Sequence, residues 1–158
     1  MIHRMWTRLK AQLKNDEGAN LVEAALILPL VLWVVFAGIE FAGILYAQMT
    51  LQNGVTLATR YAITQNVLTG QTHQASVITT LEKDTPSLTI NPATITFSNL
   101  PPGSTTWSTG DGAPGSIEKV AVDYSWQLLT PFMPAIFGAS SITLHAEASM
   151  KNESAPGS

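Results

Sequence analysis

Side chains able to do chemistry are sparse in this chain of 158 residues, and their spacing decides how they are read. His3, His73 and His145 are the three histidines, and no two of them stand at the spacing of a metal-ligand pair. Glu82 with Asp84, and Asp123 with Glu147, have the composition of acid–base carboxylate pairs. Their polar neighbours on a helix and on alternating strands read instead as solvated faces. There is no Cys, which removes a thiol nucleophile, a Cys-based zinc site and any disulfide framework. No G-x-S-x-G elbow and no phosphate-cradling Gly loop is present. The sequence therefore predicts a protein that is not an enzyme, with no catalytic residue, no metal and no cofactor.

One constellation is left, and it concerns processing and assembly. Gly18 and Ala19 are a small pair between a basic leader and a membrane-length apolar run, and Glu23 is an acid just inside that run. The run itself is Ala24-Ala25-Leu26-Ile27-Leu28-Pro29-Leu30-Val31-Leu32-Trp33-Val34-Val35-Phe36-Ala37-Gly38-Ile39. Such an arrangement combines a cleavage site with a membrane anchor. It is too long for the h-region of a secretory signal, ~7–15 residues, and lacks an A-x-A-like exit.

Gly18 followed by an acid at the fifth position beyond it and then a hydrophobic helix is similar to the class III signal of type IV prepilins. The continuation Val22-Glu23-Ala24-Ala25-Leu26-Ile27-Leu28-Pro29-Leu30, then Gly38-Ile39-Glu40-Phe41, Asn53-Gly54 and Ala58-Thr59-Arg60-Tyr61-Ala62, resembles the TadE-like pseudopilins of tight-adherence (Flp) pilus systems. The end Ala148-Ser149-Met150-Lys151-Asn152-Glu153 resembles that family's C-terminus. The resemblance implies a bacterial pseudopilin or minor pilin cut after Gly18 by a prepilin peptidase. It also implies that Glu23 of one subunit attracts the new Ala19 terminus of the next. Its partners would be the peptidase, other pilin and pseudopilin subunits, the inner-membrane pilus assembly platform and the lipid bilayer.

The elements that must position these residues follow from charge and period. Residues 1–18 form a leader in which Arg4, Arg8, Lys10 and Lys14 cluster, and the positive-inside rule keeps that flank cytoplasmic. The formal net charge of −3 leaves acids in excess beyond the anchor, which excludes nucleic acid as a partner. An ideal helix from Ala24 to Ile39 rises only about 24 Å against a hydrocarbon core of ~30 Å, so the transmembrane helix is extended over 19–47. Glu40 then lies within the span, either paired or at the outer headgroups beside Tyr46. Pro29 should bend or loosen the helix. Gly38 and Ala42 give it a small-residue packing face.

Beyond the membrane, Leu51, Val55, Ala58 and Ala62 recur at helical spacing, so an amphipathic helix should run on to about Asn66, with Gly70 as a stop. A short helix over Gln74–Lys83 buries Val77, Ile78 and Leu81. The period then changes to two: 94–98, 120–126 and 142–148 read as strands. Ile95, Phe97, Val120, Val122, Tyr124, Ile142 and Leu144 are expected to share one sheet face packed on Val55, Ala58 and Ala62. Residues 101–115 form a long turn-rich loop, and the apolar connection 129–138 is expected mainly to fill the open end of the sheet.

The predicted fold is thus α+β and type IV pilin-like. A long N-terminal transmembrane helix continues into an amphipathic helix packed on a small antiparallel sheet. An extracytoplasmic domain covers 48–153, and 154–158 has disordered composition. Two functions fit: a processed pseudopilin serving assembly or the tip of an adherence pilus, or a permanently anchored extracytoplasmic binding or assembly module that is never cut.

Overall fold

The computed structural model describes residues 16–153, and the side chains from Gly18 onward. The leader before Asp16 and the tail 154–158 lie outside the described residues. Two compact units divide the chain, Met1–Glu40 and Phe41–Ser158.

Helix α1, Asp16–Ala62, runs unbroken for 47 residues and passes through Pro29 without a break, so the expected loosened turn is not an interruption. Its first unit exposes Leu21, Leu26, Leu30 and Val34, among other large apolar side chains. From Gly18 the helix is long and apolar enough to cross a membrane. Glu40, at the end of this unit, is 2 % exposed.

The second unit is built on the helical repeat of Ala47, Leu51, Val55, Ala58 and Ala62, all fully buried. The helix stops at Ala62, four residues before the expected end. Thr64 and Gln65 turn back through their backbone N–H groups to Tyr61 and Ala62 carbonyls at 3.1 and 3.0 Å. Gln65 adopts a left-handed φ of 55°, which ends the helical path. Helix α2, His73–Asp84, starts at Thr72, whose hydroxyl accepts from the Ala75 N–H. Gly54 lies where α2 comes closest: a Cβ there would meet the Thr85 methyl and stand 3.2 Å from Leu81 Cδ1. The glycine that lowers local helix propensity is thus required by packing.

After a 3-10 turn at Pro92–Thr94 come β1 (Ile95–Leu100), β2 (Ser108–Thr109) and β3 (Ile117–Gln127). A short helix α3, Met133–Phe137, precedes β4, Ser141–Lys151. The sheet has the order β2-β1-β3-β4, with every neighbouring pair antiparallel. Register pairs Phe97 with Val120, Val122 with Ala146 and Tyr124 with Leu144. All seven residues expected on one sheet face join the core with the α1 stripe and with Val77 and Leu81 of α2. β4 is an edge strand, and α1 covers its exposed carbonyls: Gln48 and Gln52 donate from Nε2 to the His145 and Glu147 oxygens at 2.8 and 3.0 Å.

The connection 129–138 departs from expectation. Thr130 and Met133 are buried, but Leu129, Phe132, Ile136 and Phe137 are about half exposed, so of the segment's large apolar side chains only Met133 goes inside. Pro131 and Pro134 limit how far it can turn inward, and Gly138 ends α3 in a left-handed conformation, φ 68°.

Candidate functional site

Two groups of residues stand out, one on the anchor and one at an end of the small domain's core. On the anchor, Gly18, Ala19 and Glu23 are all exposed on α1. A Cβ at Gly18 would meet nothing within 4 Å, so the fold does not demand a glycine there. Ala19 and Glu23 lie four positions apart and therefore on one side of the helix. Asn20, Glu23, Ala24, Ile27, Leu28 and Val31 line one open, largely apolar face. Gly38 likewise has no atom within 4 Å of a built Cβ, and Ala42 is exposed. Neither Gly38 nor Ala42 is covered, whereas at Gly43, which was not named, a Cβ would stand 3.0 Å from the Trp126 ring.

The second group was not legible as a set. Glu118 is in phase with Val120, Val122, Tyr124 and Trp126, so β3 aims it at the core side, where it is fully buried. Asn152 follows β4 and is 2 % exposed. His73 opens α2 and Asp111 lies in the loop 101–115. One ligand atom from each of His73, Asp111 and Glu118 falls within 4.8 Å of the others. His73 Nδ1 stands 3.3 Å from Asp111 Oδ2, and Gln65 Nε2 lies 3.5 Å from Glu118 Oε2. The loop that carries Asp111 is fixed. Gly110 donates its N–H to the Phe97 carbonyl at 2.9 Å, and Asn152 donates from Nδ2 to the Gly112 and Ala113 carbonyls at 2.9 and 3.3 Å. Gly112 cannot carry a side chain, since a Cβ would run into Ser116 Oγ and lie 3.0 Å from Asn152 Nδ2.

Burial pushes the Glu118 carboxyl above its usual range; the Asn152 amide and the His73 charge pull it back, and Asp111 adds to the rise. His73 Nδ1, Glu118 Oε1 and Asn152 Oδ1 are buried without a hydrogen-bond partner. The signal available in the sequence was an acid in phase with an apolar strand face, together with a loop whose length exceeds what connecting β1 to β3 requires.

On the outer sheet face the expected solvated acids are exposed but connected. His145 Nδ1 bonds Asp123 Oδ1 at 2.7 Å, with Glu147 Oε2 3.7 Å from Nε2 and Lys119 Nζ 3.5 Å from Glu147. The Asp123 hydrogen bond raises the His145 pKa above its usual value against a small opposing burial effect, and the Asp123 and Glu147 charges add to the rise. Lys119 also sits 4.7 Å from the centre of the Trp107 ring.

An apolar helix of membrane-spanning length leading into a small antiparallel sheet with helical packing defines the chain as an α+β protein with a candidate N-terminal anchor. Residues 18–60 match the family model described as TadE-like protein, so the segment from the Gly18-Ala19 pair through most of α1 is TadE-like. The match supports association with the tight-adherence pilus. Comparison with curated proteins and with solved structures found no match.

Proposed function

We propose that this protein is a pseudopilin or minor pilin of a tight-adherence pilus, non-enzymatic, cut after Gly18 and assembled through its N-terminal helix. The observation that carries the reading is the position of Gly18, Ala19 and Glu23 at the start of a TadE-like apolar helix, on an exposed face that no other described element covers. Cutting creates an α-amino group on Ala19, with a reference pKa of about 7.7–8. In a layer poor in water that positive terminus needs an acid partner. Glu23 of an incorporated subunit supplies one, and the apolar face through Val31 gives the incoming helix a surface to lie on. The orientation follows from the basic leader: N-terminus cytoplasmic, domain 48–153 outside the inner membrane. Partners are the prepilin peptidase, sibling pilin subunits and the assembly platform.

Intact-mass measurement on the membrane form, in a host with the matching peptidase, tests this directly. A mature chain beginning at Ala19 is expected. A chain that keeps its leader when assembled belongs to the permanently anchored module instead.

A further inference from the structure

We propose that His73, Asp111 and Glu118 form a binding site for one divalent cation of the zinc class, with Asn152 Oδ1 or water completing the ligand set. Three features of the geometry lead there, and none depends on the pilus reading.

The first is the orientation of His73. Its Nε2 lies 3.0 Å from the Ala62 carbonyl, an oxygen that can only accept, so Nε2 carries the hydrogen. In the neutral ring the Nδ1 lone pair then faces Asp111 Oδ2, another acceptor, at 3.3 Å. A histidine held through one nitrogen by a backbone carbonyl while the other faces carboxylates is the arrangement of a metal ligand with its supporting hydrogen bond.

The second is the accounting of buried acceptors. His73 Nδ1, Glu118 Oε1 and Asn152 Oδ1 are all buried and unpaired. The amide of Asn152 cannot be turned round to help, because its Nδ2 is committed to two loop carbonyls. A single proton shared along this set pairs at most two of the three. Among the described residues neither carboxylate has a Lys or Arg partner. A divalent cation among His73, Asp111 and Glu118 takes up the lone pairs of these residues and offsets both negative charges.

The third is spacing. Tetrahedral zinc with ligands at about 2.0–2.1 Å holds its donor atoms about 3.3 Å apart, which the His73–Asp111 pair already matches. The other donor separations lie within 4.8 Å, and the Asp111 side chain, 33 % exposed, gives the ion its way in. The imidazole selects for zinc over calcium or magnesium, which take oxygen ligands. Bound there, the ion would tie the start of α2, the 101–115 loop and β3 together in a chain without a cysteine to cross-link it.

The test uses the full chain in detergent after chelator treatment, titrated calorimetrically with Zn²⁺, Ca²⁺ and Mg²⁺. One saturable equivalent of Zn²⁺ is expected, with Ca²⁺ and Mg²⁺ at least about tenfold weaker. Asp111→Asn, in the exposed loop, should keep the metal-free melting temperature and weaken Zn²⁺ binding by about tenfold or more; His73→Gln should weaken it as well. Circular dichroism of the metal-free variants verifies that each is folded. The absence of saturable Zn²⁺ binding, a preference for Ca²⁺, or unchanged Zn²⁺ affinity in both folded variants would overturn the assignment.

Discussion

Adding one methyl group at Gly54 sets two effects against each other, and the structure decides which wins. On an isolated helix Gly→Ala gains about 1 kcal/mol from reduced backbone freedom. Here the new Cβ runs into the Thr85 methyl and stands 3.2 Å from Leu81 Cδ1, with Leu81 and Thr85 both fully buried. Overpacking of this kind costs ~1–3 kcal/mol, and a contact this close takes the upper half of that range, about 2–3, so Gly54→Ala should be destabilising by roughly 1–2 kcal/mol net. Thr85→Ser removes the obstructing methyl but keeps the hydroxyl that donates to the Leu81 carbonyl at 2.8 Å. Alone it should cost about 1 kcal/mol for the lost methyl. Combined, the two changes should be more stable than their sum predicts by about 1 kcal/mol or more, because the new methyl occupies the vacated space. Urea unfolding of the full chain in detergent, followed by circular dichroism, gives all four corners of the cycle. A Gly54→Ala chain at least as stable as wild type, or strict additivity in the pair, would refute the close α1–α2 contact.

Three further outcomes follow from the same reading. Glu23→Gln keeps shape and removes charge, so it should be processed and membrane-stable yet fail to support pili; normal piliation would leave Ala19 and Glu23 as a local helix pair. Val122→Ser puts an unpaired hydroxyl at a fully buried position in the middle of the sheet, and a loss of roughly 2–4 kcal/mol is expected; unchanged protease resistance would show that this face is not the core. His145 titrates above its unfolded value of about 6.5, so its contribution to stability is complete below that pH and fades as pH rises through the folded pKa. Asp123→Asn should lower the His145 midpoint measured by NMR and flatten that part of the pH profile. The effect on stability is small because both side chains are more than half exposed.

Periodicity and charge placement carried much of this protein in one dimension. Ala47 through Ala62 repeat at helical spacing, and Val120, Val122 and Tyr124 alternate, so both the helix stripe and the sheet face are written as local patterns that burial simply selects. The anchor is equally local, since length and apolarity alone make it compatible with a bilayer. What the sequence could not supply were relations between distant residues. Gly54 reads as a weak point until α2 is laid against it. Glu40 reads as either paired or interfacial, because helical position gives depth but not what surrounds it. His73, Asp111, Glu118 and Asn152 are dispersed over four segments. They converge only because β3 and β4 carry their inward phase past the last apolar pair, while the end of α1 and the fixed loop close over that end of the core. Convergence of this kind is a property of chain path, and no spacing rule along the sequence encodes it.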